Sequence, residues 1–302
     1  MAAASSRTIE PTRPRDVGLL VLAALAIALA SPLAKASTGL GAFGIGAGRC
    51  AVGSLALFLL GPREALRALA SLRGRDRISL AIAGALLAAH FALFLWGLTA
   101  TSLPAAVALV SLEPLAVVLL AWISFGLRPS RGEAVGLLVA VAGALVIARG
   151  AGEGENRLFG DVLVLGAVVL YGAYVAAARA LAHTMPVMPY AASVYGVAAL
   201  ALTPLALFEA GGVPMPPLRT VGFVVLMGLF PTLVGHTIIQ RLARRLSPSV
   251  VALVPVGETV GSIAIAAALQ GLLPTRAEWL GTGAILLGAI VVSRASTRRS
   301  AS

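Results

Sequence analysis

The sequence predicts an all-α membrane protein in which ten transmembrane helices form two inverted five-helix repeats. Three observations support this fold class: an apolar composition, a segment duplicated 145 residues apart, and basic residues concentrated in alternate loops. The composition requires lipid, the duplication gives two copies, and the charges orient the helices.

The composition is that of a chain solvated by lipid. Of its 302 residues, 59% are hydrophobic and only 12% are charged, whereas soluble domains carry about 25% charged residues. The net charge of +11 comes from arginines that lie between apolar runs. Arginines so placed indicate topology signals and contacts with anionic lipid headgroups, so we expect no nucleic-acid partner.

The duplicated segment runs from Ser102 to Arg149 and again from Ser247 to Arg294. The two stretches agree at 13 of 48 positions without a gap. The shared residues include the pairs Glu113/Glu258, Gly126/Gly271, Pro129/Pro274, Glu133/Glu278, Gly136/Gly281 and Gly143/Gly288. Hydrophobic composition alone does not align acids, glycines and a proline, so we interpret the match as duplication of a membrane unit.

Ten apolar runs are long enough to cross about 30 Å of hydrocarbon. They cover residues 17–35, 42–61, 78–99, 103–125, 132–149, 161–181, 188–208, 219–240, 248–270 and 278–293. The predicted organisation is a disordered cytoplasmic tail (1–16), a first repeat (17–149), a connector (150–160), a second repeat (161–294) and a cytoplasmic tail (295–302). Because Asp16-Val17 recurs as Asp161-Val162, we expect the first run to be a retained helix rather than a cleaved signal.

Basic residues predict the orientation. Of the 23, one set of alternating segments contains 17, and the other set contains only Lys35, Arg149, Arg157, Arg219 and Arg276. The positive-inside tendency therefore predicts that both termini are cytoplasmic. The preference for Arg over Lys, with abundant Ala and Gly, suggests a bacterial source and hence a bacterial inner membrane. An odd number of helices per repeat requires the second repeat to insert upside down.

Two patterns predict local packing. Ser130-x-x-Glu133 and Thr275-x-x-Glu278 match capping boxes, in which a hydroxyl and a carboxylate satisfy the first free N–H groups of a helix. Glycines at seven-residue spacing follow each box and predict close helix packing. These glycines are Gly136, Gly143, Gly281 and Gly288.

The best candidates for a function are ionisable residues inside the apolar runs. Glu113 and Glu258 lie near mid-bilayer, where an ionised side chain costs about 2.5–3.5 kcal/mol. They either bind a cationic group of a solute or carry a proton, or they are protonated and only fix packing. His90 and His236 are nearly equivalent under the duplication. They either titrate near neutral pH or make interhelical hydrogen bonds.

Other polar and aromatic residues leave two interpretations each. Thr232, His236 and Gln240 form an i, i+4, i+8 stripe that a wet cavity satisfies better than lipid does. Arg49 has no basic counterpart in the second repeat, so it either attracts an anionic group or extends to the outer interface. Four further side chains either wall an apolar substrate pocket or anchor helices by packing: Trp96, Trp122, Tyr171 and Tyr174.

Signatures of catalysis and of metal binding are missing from the sequence. It contains no nucleotide-binding loop and no HExxH or GxSxG motif. The single Cys50 and three scattered histidines give no metal cluster. We therefore expect neither an enzyme, nor a cofactor, nor a metal.

The motifs together resemble the EamA-type branch of the drug/metabolite transporter superfamily over residues 17–294. The resemblance rests on elements that occur in the family's order and spacing: Lys35, Arg49, the stretch from His90 to Ser102, Leu112-Glu113-Pro114, Gly235-His236 and Gly257-Glu258-Thr259. Thr259 replaces the proline that is usual in the family. Likewise, Gly126-Leu127 and Gly271-Leu272 replace the usual Gly-Glu. The resemblance implies a secondary carrier, often an exporter of amino acids or other small metabolites, with a cavity between inverted halves.

We therefore expect an alternating-access exporter driven by a proton or solute gradient, since no ATP site is visible. The third, fourth, eighth and ninth helices would line its cavity, with contributions from the first and sixth. The expected partners are a small-molecule substrate and anionic lipid, and a homodimer is one assembly that the sequence permits. A lipid-linked substrate flippase is the alternative transporter. A membrane-embedded enzyme or a structural subunit without transport activity is the alternative class.

Overall fold

The computed structural model describes residues 14–125, 128–150, 155–181, 184–213, 215–243 and 253–301, whose regular elements are helices. In the first half of the chain these are α1 (Pro14–Ala28), α2 (Ala30–Ala36), α3 (Ala42–Leu60), α4 (Pro62–Ser71), α5 (Gly74–Ala100), α6 (Leu103–Val110), α7 (Glu113–Phe125) and α8 (Arg131–Arg149). In the second half they are α9 (Leu158–Leu181), α10 (Val187–Ala210), α11 (Leu218–Met227), a π-helical segment (Gly228–His236), α12 (Thr237–Ala243), α13 (Leu253–Gln270) and α14 (Arg276–Ala301).

Seven helical stretches among the described residues are long and apolar enough to cross a membrane, as expected of a multi-pass membrane protein. They are Pro14–Ala36, Ala42–Leu60, Gly74–Ala100, Arg131–Arg149, Leu158–Val175, Val187–Ala210 and Leu218–Ile239. The three remaining predicted runs contain α6 with α7, α13 and α14. As membrane spans, these three stay a prediction, and residues 248–252 lie outside the described part of the chain.

The first predicted helix is broken at Leu29, between α1 and α2. Pro32 has no amide hydrogen, so the carbonyl of Ala28 lacks its usual helical donor. The hydroxyl of Ser262, on α13, donates to that carbonyl at 2.9 Å. A break inside an apolar run is therefore satisfied by a side chain from the other half of the chain.

The fourth predicted helix is also broken, at Ser111 and Leu112, just before Pro114. The hydroxyl of Thr259 donates to the carbonyl of Val107 at 3.0 Å, and it also contacts the hydroxyl of Ser111. Thr259 thus connects α13 to the end of α6.

The eighth predicted helix contains nine residues of π-helix around Pro231. Pro231 has no amide hydrogen to donate within the helix, and in a π-helix the amide of Thr232 is the one that reaches the carbonyl of Met227. The hydroxyl of Thr232 also donates to that carbonyl, at 3.1 Å. π-Helical turns are rare and occur often at functional sites. This segment therefore places Thr232 at a candidate functional position.

The predicted glycine packing is confirmed. A Cβ atom on Gly136 would lie 2.7 Å from the carbonyl oxygen of Gly288, and one on Gly143 would lie 2.6 Å from that of Gly281. The pairing of an early residue of α8 with a late residue of α14, and the reverse, shows that the two helices run antiparallel. Only glycine allows their backbones to approach this closely.

Both capping boxes are confirmed as well. Ser130 N donates to Glu133 Oε2 at 2.6 Å, and Glu133 N donates to Ser130 Oγ at 3.3 Å. Thr275 N donates to Glu278 Oε2 at 2.7 Å, and Glu278 N donates to Thr275 Oγ1 at 3.3 Å. Equivalent helices of the two copies therefore start in the same way.

Substituting Gly143 by Ala is expected to destabilise the protein by about 1–3 kcal/mol, because the new methyl group meets backbone atoms of α14. The matched control is Gly283→Ala on α14, where a Cβ atom meets nothing within 4 Å. Thermal unfolding in detergent measures both variants. Equal melting temperatures for Gly143→Ala and the wild-type protein would contradict the packing described.

Candidate functional site

Polar side chains from both copies converge in the interior of the helical bundle. We call this set the central cluster; it comprises Arg49 on α3, His90 on α5, Glu113 on α7, Thr232 and His236 on the π-helical segment, and Glu258 on α13. Electrostatic interactions link its charged and titratable members: Glu113 with Glu258, and Arg49 with Glu258, His90 and His236. The duplicated acids and histidines that the sequence singles out therefore lie together.

His90 is only 6% exposed and has a defined orientation. Its Nδ1 lies 2.9 Å from the carbonyl oxygen of Ala167 on α9. A carbonyl only accepts, so Nδ1 donates this bond and a neutral His90 presents an unprotonated Nε2. That Nε2 lies 3.9 Å from Glu113 Oε1. His90 therefore makes an interhelical hydrogen bond on one side and faces an acid on the other.

Glu113 is the first residue of α7, because the turn at Ser111 and Leu112 restarts the helix there. The side chain is 12% exposed. The sequence predicts a position in the middle of a continuous helix, and the break corrects this prediction. A helix N-terminus carries a partial positive charge, which favours a carboxylate at this position more than a helix interior does.

Arg49 is 2% exposed, so it does not extend to the membrane interface as one interpretation of the sequence proposes. Its guanidinium carbon lies 4.4 Å from the centroid of the Phe91 ring, a cation–π arrangement. Nη2 donates a long hydrogen bond of 3.4 Å to Thr232 Oγ1. The Nε atom is buried and has no hydrogen-bond partner.

Thr232 is fully buried, and its hydroxyl bonds to both Met227 and Arg49. Because the hydroxyl proton is donated to the carbonyl of Met227, the oxygen lone pairs are available to Arg49. The predicted stripe of Thr232 and His236 therefore faces the interior. The side chain of Gln240, its third member, lies outside the described residues.

All four tyrosines of the chain contribute to the interior around the central cluster. Tyr171 lies 5.4 Å from the His90 ring and 6.0 Å from Tyr174, measured between ring centroids. Tyr195 is 3% exposed and interacts electrostatically with Arg49 and with Tyr174, and Tyr190 is 8% exposed. The sequence interpretation missed Tyr190 and Tyr195. The concentration of so few tyrosines in two neighbouring apolar runs was a signal that pointed to them.

Trp96 lies elsewhere. It is 44% exposed, and its ring packs edge-on against Phe43 and Phe159 at centroid distances of 6.3 and 5.8 Å. Trp96 lies six positions after His90, which is a rotation of about 240° around the axis of α5, so the two side chains project from different faces. This position corrects the expectation that Trp96 walls a pocket, and it supports the alternative of a packing residue.

A second polar set joins helix ends of the two copies, and sequence interpretation did not predict it. Lys35 Nζ donates to the carbonyls of Leu98 and Thr101 at 3.3 and 3.0 Å and lies 3.0 Å from Glu155 Oε2. The residues of this set, which we call the end network, are Lys35, Thr101, Ser102, Glu155, Asp161 and Glu278.

Buried hydroxyl–carboxylate bonds complete the end network. Thr101 Oγ1 donates to Asp161 Oδ1 at 2.9 Å, and the Ser102 hydroxyl donates to Glu278. Asp161 and Glu278 are 2% and 1% exposed. Each bond pairs a first-copy residue with a second-copy carboxylate, so the two copies are fastened to each other at this end.

Comparison with known proteins identifies the fold and its class. The model of the EamA-like transporter family matches the chain twice, over residues 16–149 and 158–294. The chain belongs to the EamA-like transporter family. A relative from Streptantibioticus cattleyicolor, described as a probable terminal-alkyne amino-acid exporter, is 29% identical over 236 residues, which are 77% of this chain and 78% of the relative. A protein of known crystal structure has a similar fold, with a TM-score of 0.66 at 18% identity, over 95% of this chain and 99% of that one.

Family membership confirms the resemblance to the drug/metabolite transporter superfamily. The EamA-like protein is a multi-pass membrane transporter with a small-molecule substrate. Its central cluster is the natural candidate for the substrate site, because its polar groups come from both copies of the family unit.

Replacing Thr232 by Val in the EamA-like protein is expected to lower its stability by about 1–3 kcal/mol. The change removes the hydroxyl bond to the carbonyl of Met227 and leaves Nη2 of the buried Arg49 without its acceptor. Thr203→Val is the matched control, because the hydroxyl of Thr203 only adds a second bond to a carbonyl within a regular helix. Melting temperatures measured side by side test this, and an equally small effect for both variants would contradict it.

Proposed function

We propose that the protein exports amino acids or related small metabolites by alternating access, with the central cluster as its binding site. The observation that carries the proposal is the convergence of cationic, acidic and hydroxyl side chains from both copies inside an apolar bundle. Burying such groups away from water costs free energy. In membrane proteins they are retained mainly where they bind a solute, an ion or a proton.

The two copies are, in this proposal, inverted repeats with boundaries near 17–149 and 161–294. The antiparallel packing of α8 on α14, which are equivalent under the duplication, supports the inversion. Reciprocal contacts support it too: Gly261 on α13 packs against Ala28 on α1, and Gly172 on α9 packs against Ala116 on α7. These contacts are equivalent to within one residue at the 145-residue offset. A pseudo-two-fold axis between inverted copies produces such pairs.

Ten membrane spans complete the proposed architecture, with both termini in the cytoplasm of a bacterial cell. The distribution of basic residues supports this orientation. It puts the end network on the external side, where Lys35, Arg149, Arg157, Arg219 and Arg276 also lie. The basic loop around α4 is then cytoplasmic, where arginines interact with anionic headgroups.

The end network acts as the external gate of the carrier. Its bonds join first-copy residues, Thr101 and Ser102, to second-copy carboxylates, Asp161 and Glu278. While these bonds persist, the two copies cannot separate at this end. Opening toward the outside therefore requires the hydroxyl–carboxylate bonds and the Lys35–Glu155 ion pair to break together.

Amino acids fit the chemistry of the central cluster. An amino acid presents a carboxylate and an ammonium group close together, and the cluster contains a cation, Arg49, and two carboxyl groups, those of Glu113 and Glu258. The tyrosines and Phe91 add apolar surface for a side chain. The description of the relative from Streptantibioticus cattleyicolor as a probable terminal-alkyne amino-acid exporter supports the same substrate class.

Proton exchange is the proposed energy source. Glu113 and Glu258 interact electrostatically, and Nε2 of His90 faces Glu113. Two neighbouring carboxyl groups in a poorly solvated site disfavour double ionisation, so they tend to share or exchange a proton. Coupling that exchange to substrate release would let a proton gradient drive export.

A lipid-linked substrate flippase is the second candidate function. The observation that favours it is an open groove of about 490 Å³ between α4 and the start of α10, whose polar lining consists of Arg63, Glu64, Arg67, Ser71 and Thr184. Two arginines beside hydroxyl groups suit an anionic headgroup. This groove lies on the surface, away from the central cluster, so the cluster itself favours the soluble substrate.

Transport by purified protein in liposomes tests the proposed function. We expect counterflow of labelled amino acids, with propargylglycine included as a terminal-alkyne amino acid. Glu113→Gln and Glu258→Gln are each expected to reduce flux at least about tenfold, because neutral amides can neither bind an ammonium ion as strongly nor carry the proton. Asp76→Asn, a carboxylate-to-amide change in the first turn of α5, is the control and should transport normally.

Three outcomes would contradict parts of this proposal. Unchanged flux in both glutamine variants would remove the two carboxylates from the mechanism. Transfer of a lipid-linked probe between leaflets, without flux of water-soluble solutes, would favour the flippase. Product formation in detergent, without any vesicle requirement, would favour an enzyme.

A further inference from the structure

We propose that Arg49 is the receptor for the carboxylate of the transported solute, so that the carrier selects acids over their neutral amides. This inference rests on the proposed function and specifies its substrate class. It assigns a particular hydrogen-bonding edge of one side chain to one functional group of the ligand.

Arg49 has hydrogen-bond donors that are not fully used within the protein. A guanidinium group carries five N–H donors in a rigid plane. Nη2 makes one long bond to Thr232, and Nε makes none although it is buried. Nε and Nη2 lie on the same edge of the guanidinium, which is the edge that binds a carboxylate through two parallel bonds. A buried donor without a partner costs free energy in the empty state, and a ligand carboxylate would remove that cost.

Among the described residues, the positive charge of Arg49 has no direct counter-ion. In the part of the chain that the structure describes, no carboxylate lies within ion-pair distance of this guanidinium. Glu258 interacts with it only through space. His90 and His236 also interact electrostatically with Arg49, and neither is an anion. The site therefore holds a cation whose direct counter-ion is missing.

Two neighbouring side chains, Phe91 and Thr232, hold the guanidinium of Arg49 in place. The Phe91 ring covers one face of its plane at 4.4 Å, and Thr232 holds Nη2. Thr232 is itself fixed by its bond to the carbonyl of Met227. A guanidinium that is immobilised on its face, with a donor of its edge left unpaired, is preorganised for a planar carboxylate.

The position of Arg49 also suits a transported ligand. Its contacts come from α5 of the first copy and from the π-helical segment of the second, so the guanidinium sits where the two copies meet. Movement of one copy against the other would shift Thr232 relative to Phe91. Carboxylate affinity would then differ between the two states of the carrier, as transport requires.

Binding measurements on the purified full-length protein test the inference. The probes are the proteinogenic amino acids and propargylglycine, each paired with its own amide, which replaces only the carboxylate. We expect the wild-type protein to bind the preferred acid about 10- to 100-fold more tightly than its amide. Arg49→Gln should bind both about equally, with the acid weakened and the amide little changed.

Two further variants separate a binding role from a structural one. Arg49→Lys keeps the charge but loses the two-bond edge, so it should retain only part of the preference for the acid. If Arg49→Gln fails to fold, Arg49→Lys tests the preference for the acid in its place. Arg219→Gln is the matched control, because Arg219 also stacks on a phenyl ring, that of Phe223 at 5.1 Å, but is exposed. This control should keep the wild-type preference.

The outcomes distinguish the inference from the proposed function. Equal binding of acid and amide by the wild-type protein, or an unchanged acid preference in Arg49→Gln, overturns the inference. Weakening of both probes to the same extent in Arg49→Gln also overturns it, because a structural role would do that. Acid-selective binding that depends on Arg49, without any flux into liposomes, supports the inference and overturns the proposed transport function.

Discussion

Charged and polar groups inside hydrocarbon must find their partners within the protein, and this constraint determines where the chain puts its few ionisable side chains. Most of the membrane-embedded ones that the structure describes lie in two places, the central cluster and the end network. In both, residues of the first copy meet residues of the second. One copy alone would lack both the hydrogen bond between Arg49 and Thr232 and the one between Ser102 and Glu278. These polar interactions therefore depend on the presence of both copies.

The same constraint governs the breaks in the helices. Proline at 32 frees a carbonyl, and a hydroxyl takes the place of the missing amide. Around Pro231 the chain forms a π-helical segment, in which a hydroxyl bond adds to the backbone bonding. At Pro32 the hydroxyl of Ser262 comes from the other copy, whereas at Pro231 it comes from the adjacent Thr232. The second arrangement has a further effect, because it orients Thr232 toward Arg49. A backbone irregularity thus becomes part of the candidate binding site rather than a defect in the helix.

Features that depend on short-range or periodic signals were predictable from the sequence. The capping boxes and the glycine packing are examples, since three-residue and seven-residue spacings define them fully. Pro32 and Pro114 mark the breaks at Leu29 and Ser111 in the sequence, but Ser262 and Thr259, which bond at these breaks, were not predictable because they are far away in the sequence. The end network was not predictable for the same reason, because Ser102 and Glu278 are 176 residues apart in the sequence. Trp96 and His90 lie on different faces of α5, so their closeness in the sequence does not bring them together. Tyr195 lies in an apolar run without a charged side chain, so only the concentration of tyrosines in neighbouring runs marks it.

The most direct test of the account is the side of the membrane on which equivalent positions of the two copies lie. Ala70 and Met215 are equivalent at the 145-residue offset, and both are exposed. In a Cys50→Ser background, which removes the only native thiol, single cysteines at these positions are labelled in intact cells with a membrane-impermeant maleimide. Inverted copies predict that the cysteine at 215 reacts from outside, whereas the cysteine at 70 reacts only after permeabilisation. Labelling of both positions from the same side would contradict the inverted arrangement, and with it the shared interior on which the proposed transport path depends.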